Sequence, residues 1–286
     1  MFNYQMTYTN NRMQTFTFGY DSGLHLDDSE LFDYQYTYDV SQGVLSSVTV
    51  EPGERDVSLL YLADADHKGN INTFDAIIDY DTRIGKPGTL MLNGYSIKCM
   101  FIASEADDYQ YLEGYMRRDM TLLVLSKHWE RVTTQTFMAA GDLGTTGKGY
   151  PHDYPYDYTA QSGMTSLTND SDFPSDFILR MYGPCTDPYV AINGNSYGLT
   201  LTMLPGEYLE IDSRDHTQVI KHGVYGDETN VFDSLKFGAP GSGQYPFELI
   251  APGNSSVSWP QSFRFDIDLI DGRSTPKWYE HTKAGE

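Results

Sequence analysis

The chain has 286 residues, 40% hydrophobic and 14% aromatic, with 40 acidic against 19 basic side chains and a net charge of −21. Without an excess of Lys and Arg to neutralise phosphates, it is not a protein built to hold nucleic acid specifically. Its length fits two domains of about 150 and 120 residues, and 23 tyrosines favour strands over helices.

Two cysteines, Cys99 and Cys185, fall one in each half, so they read as free buried thiols and exclude a disulfide scaffold. The first residues show no basic region followed by an apolar run, and no stretch approaches a membrane span. The expectation is therefore a protein without export signal or membrane insertion.

In chain order, Thr15 to Phe18 and Tyr34 to Tyr38 alternate with a period of two, which predicts strands with one covered face. Val48 to Val50 and Val57 to Leu62 predict further strands, divided by Pro52-Gly53. One helix is expected next: Asn70 or Asn72 caps it, Phe74, Ile77, Ile78 and Asp81 form its buried stripe, and it stops before Gly85 and Pro87. Asn93-Gly94 then sits between two strand-like runs as a hairpin turn, and Met120 to Leu125 predicts another buried strand.

Residues 141–149 are a glycine run, and residues 150–158 read Tyr-Pro-His-Asp-Tyr-Pro-Tyr-Asp-Tyr. Pro151 and Pro155 fix their own φ and bias Tyr150 and Tyr154 toward extended backbone, which predicts a stiff strap at a domain junction. Beyond it, Phe177 to Tyr182 alternates, Tyr189 to Ile192 leads through Asn193-Gly194 into a return strand from Tyr197 to Met203, and Pro205-Gly206 turns the chain into Glu207 to Asp212. His216 to Lys221 alternates around Val219, and Phe263, Phe265, Ile267 and Leu269 share one face of a last strand. Such spacing describes an antiparallel sandwich.

No motif carries catalysis. Gly147-Lys148 resembles the end of a phosphate-binding loop, but the first glycine of that motif falls at Asp142 and the Ser or Thr for magnesium is Gly149. His152, Asp153 and Asp157 lie on extended backbone that splays neighbours apart, and Asp212, His216 and His222 lack acid–base or metal-ligand spacing. With 40 carboxylates, some pair at glycosidase separation is expected by chance alone and nominates nothing. No catalytic, cofactor-binding or metal-ligating residue is nominated, and the chain is expected to be neither an enzyme nor a cofactor carrier. Trp259, Trp278 and the tyrosines are possible sugar platforms, with core packing the simpler use for them.

The strap at 150–158 resembles the Tyr-Pro-rich linker of the distal tail proteins of long-tailed, non-contractile bacteriophages. The run 205–213, Pro-Gly-Glu-Tyr-Leu-Glu-Ile-Asp-Ser, followed by Gly223 and Asn230-Val-Phe232, is similar to the C-terminal part of the same family, and the hairpin at 88–102 suits its N-terminal domain. Residues 126–131, Ser-Lys-His-Trp-Glu-Arg, depart from the family's Pro-Asp-Pro-Phe-Trp type junction and keep only Trp129.

The resemblance implies a mainly β protein: a tail-tube-like β-sandwich or barrel with one packed helix at 1–140, a linker at 141–172, and an outer galectin-like antiparallel β-sandwich at 173–286. It implies a structural virion protein at the phage tail tip, a homo-hexameric ring joining the tail-tube protein to tail-tip, baseplate or receptor-binding proteins. Carboxylates from 1–140 are expected to line its lumen and let DNA pass without specific binding. The alternative is a carbohydrate-binding adhesion module recognising a host cell-wall glycan.

Overall fold

A computed structural model describes residues 4–62, 66–67, 69–110, 114–140 and 166–278. The fold is mainly β, with one α-helix among the described residues, and it divides into two units. Unit 1 comprises Met1–Arg131 and Gly272–Glu286, and unit 2 comprises Val132–Asp271.

Unit 1 is built from β1 (Met6–Thr9), β2 (Thr15–Phe18), β3 (Leu24–Ser29), β4 (Thr37–Ser41), β5 (Val44–Thr49), β6 (Gly53–Leu62), α1 (Asn70–Ile84), β7 (Gly88–Leu92), β8 (Tyr95–Gln110), β9 (Tyr115–Val124) and the start of β10 (Trp129–Phe137). An antiparallel sheet runs β2-β1-β7-β8-β9-β6-β3. The Gly19–Leu24 bridge brings β3 back to the end of β2, so the sheet rolls almost closed. Alternation sets the inner face: Val57, Leu59 and Tyr61 of β6 and Tyr95, Ile97, Cys99 and Phe101 of β8 are buried.

The helix plugs this roll. Phe74 meets Phe16, Phe18 and Phe101 with ring centroids 5.1–5.5 Å apart, and burial of Phe74, Ile77 and Ile78 contributes about 1.5–3 kcal/mol per side chain. Asp81, on the same stripe, is fully buried: Oδ2 accepts from Tyr8 Oη at 2.8 Å, and Oδ1 accepts from Asn11 N and Nδ2, both at 2.9 Å. The helix ends as expected at Gly85, whose φ of 66° lets its N–H reach the Asp81 and Thr82 carbonyls. Its start differs from the expectation. Gly69 is the N-cap with no side-chain cap, and Asn70 instead donates to the Ser22 carbonyl at 3.0 Å, an anchor to a loop 48 residues away.

Unit 2 continues β10 and adds β11 (Ser166–Asn169), β12 (Asp176–Tyr182), β13 (Cys185–Thr186), β14 (Tyr189–Ile192), β15 (Asn195–Gly198), β16 (Thr202–Met203), β17 (Tyr208–Asp212), β18 (Ile220–His222), β19 (Glu228–Asn230), β20 (Gly253–Ser258) and β21 (Phe265–Arg273). One sheet runs β10-β21-β12-β17-β18-β19 and the other β11-β20-β14-β15. Phe177, Leu179, Ile211, Phe265 and Ile267 from the first share a core with Leu167, Val190, Tyr197 and Val257 from the second, which makes a β-sandwich. The stripe Phe263, Phe265, Ile267, Leu269 is buried throughout.

Both Asn-Gly pairs form two-residue hairpin turns with positive φ at each position, 50° and 79° at Asn93-Gly94 and 48° and 83° at Asn193-Gly194. The return after the second is shorter than periodicity suggests. β15 ends at Gly198, Leu199 bridges Leu235, and Thr202–Met203 pairs with β13 instead. Likewise, of the 216–221 run only Ile220 and Lys221 are in a strand, β18, because His216 turns back to the Ser213 carbonyl at 2.8 Å.

The division into domains differs from the expected 1–140, 141–172 and 173–286. The glycine run and the strap lie outside the described residues, but their two flanks, Phe137 and Leu167, both sit in the core of unit 2. The chain on both sides of the segment therefore belongs to the same unit. The chain after Asp271 belongs to unit 1, where Asn93 Nδ2 donates to the Lys277 carbonyl at 2.8 Å, Trp278 stacks on Phe32 at 4.0 Å, and Ser274 bonds Tyr36. Unit 2 is thus an insertion between Arg131 and Gly272. Local patterning had no means of showing this, since the contacts that decide it join residues some 180–250 positions apart.

Candidate assembly surfaces

β4 and β5 form a two-stranded sheet of their own, closed by Gln42-Gly43 with φ of 51° and 79°. The alternation at 34–38 predicts a strand with a covered face. The strand instead begins at Thr37, and every residue of both strands is exposed. Cross-strand register places Tyr38 opposite Val48 and Val40 opposite Leu45 on one face, 69%, 48%, 58% and 57% exposed. The other face is polar apart from Val44 next to the turn, and is bonded within itself: Thr37 to Thr49 at 2.8 Å and Ser47 Oγ to Asp39 Oδ2 at 2.9 Å. A lone hairpin is marginal in water, and four aligned apolar side chains open to solvent are the mark of a contact surface. Gln42-Gly43 is a weaker turn signal than Asn-Gly, which is why the hairpin was not legible beforehand.

The outer face of β3, β6, β9 and β8 carries charge. Pairing aligns Asp28 with Ser58, Ser58 with Asp119, and Asp119 with Glu105, so one row crosses four strands with three carboxylates. Glu54 and Asp56 extend the same face along β6, where Asp56 Oδ1 accepts from Thr121 at 2.8 Å. Arg117 lies among them, 3.6 Å from Asp27 and 3.5 Å from Asp119. β8 outruns β7: beyond Cys99 its pairing among the described residues is with β9 alone, leaving the Ile102–Ala106 stretch exposed along a strand edge.

In unit 2 the motif residues quoted for the resemblance hold loops in place. Glu207 accepts from Leu204 N at 2.7 Å and pairs with Lys221 Nζ at 2.9 Å, and these two contacts, the backbone bond first, hold its carboxyl below the usual range. Ser213 Oγ accepts from Phe177 N at 2.8 Å, and Asn230 Oδ1 accepts from Val219 N and Phe232 N. A short recurrent pattern can therefore mark turn chemistry alone.

The scattered polar residues are not brought together. Asp212 binds Arg214 at 2.7 Å, His216 stacks on Phe247 at 4.7 Å, and His222 stacks on Tyr208 at 4.3 Å with Glu228 3.4 Å away. His152, Asp153 and Asp157 lie outside the described residues. Among the described residues, no group of three or more His, Cys, Asp or Glu is placed to hold a metal, and no helix is long and apolar enough to cross a membrane. Cys99 is buried and Cys185 half-buried, both free thiols; burial pushes them up to about 12 and about 11, which keeps them protonated and inert.

Trp259 does not serve as a sugar platform. It is 8% exposed, packs against Phe137 and Phe265, and donates Nε1–H to the Phe263 carbonyl at 3.1 Å. Trp278 is 52% exposed but belongs to unit 1, with one face taken by Phe32.

No protein-family model and no curated protein matches the sequence. Solved structures do. The SPP1 Dit protein (gp 19.1), described as a paradigm of the hub adsorption apparatus in phages infecting Gram-positive hosts, superposes with a TM-score of 0.55 at 10% identity over 94% of this chain and 99% of that one. A chain of the phage P2 baseplate in its activated conformation, with Ca and with Sr, gives 0.54 at 14% identity over 96% and 99%. The chain has the fold of these phage hub and baseplate proteins along nearly its whole length.

Proposed function

We propose that the chain is the distal tail hub protein of a phage, a structural component of the tail tip that closes into a ring of six. The observation that carries this reading is the extent of the likeness: 94–96% of this chain and 99% of the matched chains, so both units, the inserted one with the other, are included rather than one common domain. The surfaces of unit 1 support it. An apolar hairpin face, exposed in the single chain, and a strand edge with pairing on one side are the features that a ring of identical subunits covers.

In this reading unit 1 forms the ring and meets the tail-tube protein, while unit 2 is the outer sandwich facing tail-tip or receptor-binding partners. The acidic face of β3, β6, β9 and β8 is assigned to the lumen, where it denies DNA the cationic contacts that would slow it. The chain has no catalytic role. The purified protein, alone and mixed with its tail-tube partner, should show the mass of six chains by light scattering and rings in negative stain. A monomer under both conditions would refute the reading.

A further inference from the structure

We propose that the groove between α1 and β8 receives the β4–β5 hairpin of a second copy of the chain, a head-to-tail contact that rests on the ring reading above and names its two halves. The groove has a volume of about 430 Å³ and lies within unit 1. Ala76 and Ile78 of the helix and Phe101, Ile102 and Met120 of the sheet give it apolar walls. Its two carboxylates are already spent: Asp75 pairs with Arg118 at 2.5 Å, and Asp79 pairs with Arg83 at 2.7 Å. A basic segment finds no free acid there, so the groove suits an occupant that is apolar and nearly uncharged. Along its rim the Phe101 carbonyl accepts from Thr82 Oγ1 at 3.1 Å, and from there to residue 106 β8 pairs only with β9 among the described residues.

The hairpin answers each of these features. Copies that each carry a net charge of −21 repel, so contact between them falls on stretches poor in carboxylates, and residues 37–49 hold one, Asp39. The free stretch of β8 at 102–106 and β4, Thr37–Ser41, are each five residues and so about 17 Å long. Neither stretch contains Lys or Pro, the residues that most often guard an exposed strand edge. The register shift in the hairpin leaves Ser46 of β5 as the extra residue, so β4 keeps a regular edge. Alternation lets β4, set beside β8, match both faces at once. Tyr38 and Val40 turn to the side that α1 covers, and Thr37 and Asp39 turn to the side of Glu105 and Asp119. Hairpin and groove are different patches of one chain, so the contact is heterologous, and a closed ring leaves neither patch open.

The test is thiol cross-linking of the full chain in a Cys185→Ser background, with a short bismaleimide and under the condition that gives rings. Val40 and Ile102 are 58% and 43% exposed, so both accept cysteine without disturbing the core. The double variant Val40→Cys with Ile102→Cys should give a ladder of covalent species up to six chains on a denaturing gel, and each single variant none. A ring of six whose double variant stays uncrosslinked would overturn the proposal, leave the ring reading standing, and assign the groove to another partner, the tail-tube protein included. Dimers from Val40→Cys alone would place two hairpins face to face and overturn it as well. Ala76→Trp, which fills the groove from an exposed position on α1, should abolish the ring with the thermal transition unchanged; intact rings in this variant would also overturn the proposal. Absence of rings from the unsubstituted chain refutes the ring reading, and the proposal falls with it.

Discussion

Asp81 receives three hydrogen bonds from neutral donors, so Asp81→Ala leaves Tyr8 Oη and the Asn11 backbone N–H without their acceptor, while Asn11 Nδ2 keeps the Lys86 and Pro87 carbonyls. The expected loss is about 2–3 kcal/mol in urea unfolding, with the m-value unchanged. Gly88→Ala should cost about 1–3 kcal/mol at the same place, since its Cβ collides with Tyr8 Oη and Asp81 Oδ2. Burial also raises the phenols of Tyr61 and Tyr197 from 10.0 to about 12. The folded state then holds these protons more tightly than the unfolded chain. Their contribution is complete below pH 10 and is lost as pH rises to about 12, by about 2–3 kcal/mol each. Unfolding free energies at pH 9 and 11.5 should show this fall, to which the raised Tyr8, Tyr182 and Cys99 add, and Tyr61→Phe should remove only its own share of it; a flat profile would contradict the burial argument.

The hairpin β4–β5 and the helix illustrate what local pattern can and cannot give an element. Phe74, Ile77, Ile78 and Asp81 were legible at helical spacing because a single stripe meets a single core. The alternation at 34–38 was equally visible, yet period two says only that two faces differ, and does not say that either is covered. Tyr38, Val40, Leu45 and Val48 are exposed in the single chain, so Val40→Glu with Leu45→Glu should leave its melting temperature within a degree or two. The same pair should abolish the ring, read by light scattering, by placing carboxylates in a contact that must be desolvated. Persistence of the ring in this variant would assign the hairpin another role.

At the scale of the molecule, unit 1 is completed by residues on both sides of the insertion. Ending the chain at Asp271 removes Ser274, Lys277 and Trp278 from Tyr36, Asn93 and Phe32, so unit 1 should lose stability and become protease-sensitive around 30–36 while unit 2 keeps its transition. The acidic face has its own test. Replacing Asp28, Glu105 and Asp119 with lysine in assembled rings should create DNA retention in a gel-shift assay that falls steeply between 50 and 200 mM salt; rings that still ignore DNA would argue against a lumen assignment. Both tests depend on placement that no stretch of sequence contains.

By itself the sequence determined the β class, the helix and its buried stripe, the two Asn-Gly hairpins, the last buried strand and the absence of recognisable catalytic spacing. These follow from periods of 2 and 3.6 and from residues next to each other, which act over a few ångströms of chain. The Tyr-Pro strap, the most distinctive stretch of sequence, lies outside the described residues, and its flanks return to the same unit. Only the tertiary structure decided that unit 2 is inserted, that residues after 271 complete unit 1, that Trp259 is core, and that a hairpin face is left uncovered. Burial is a property of what comes to lie opposite a side chain. For Phe32 and Trp278, or Asn93 and Lys277, that partner is remote in the chain and set by the closure of the whole core.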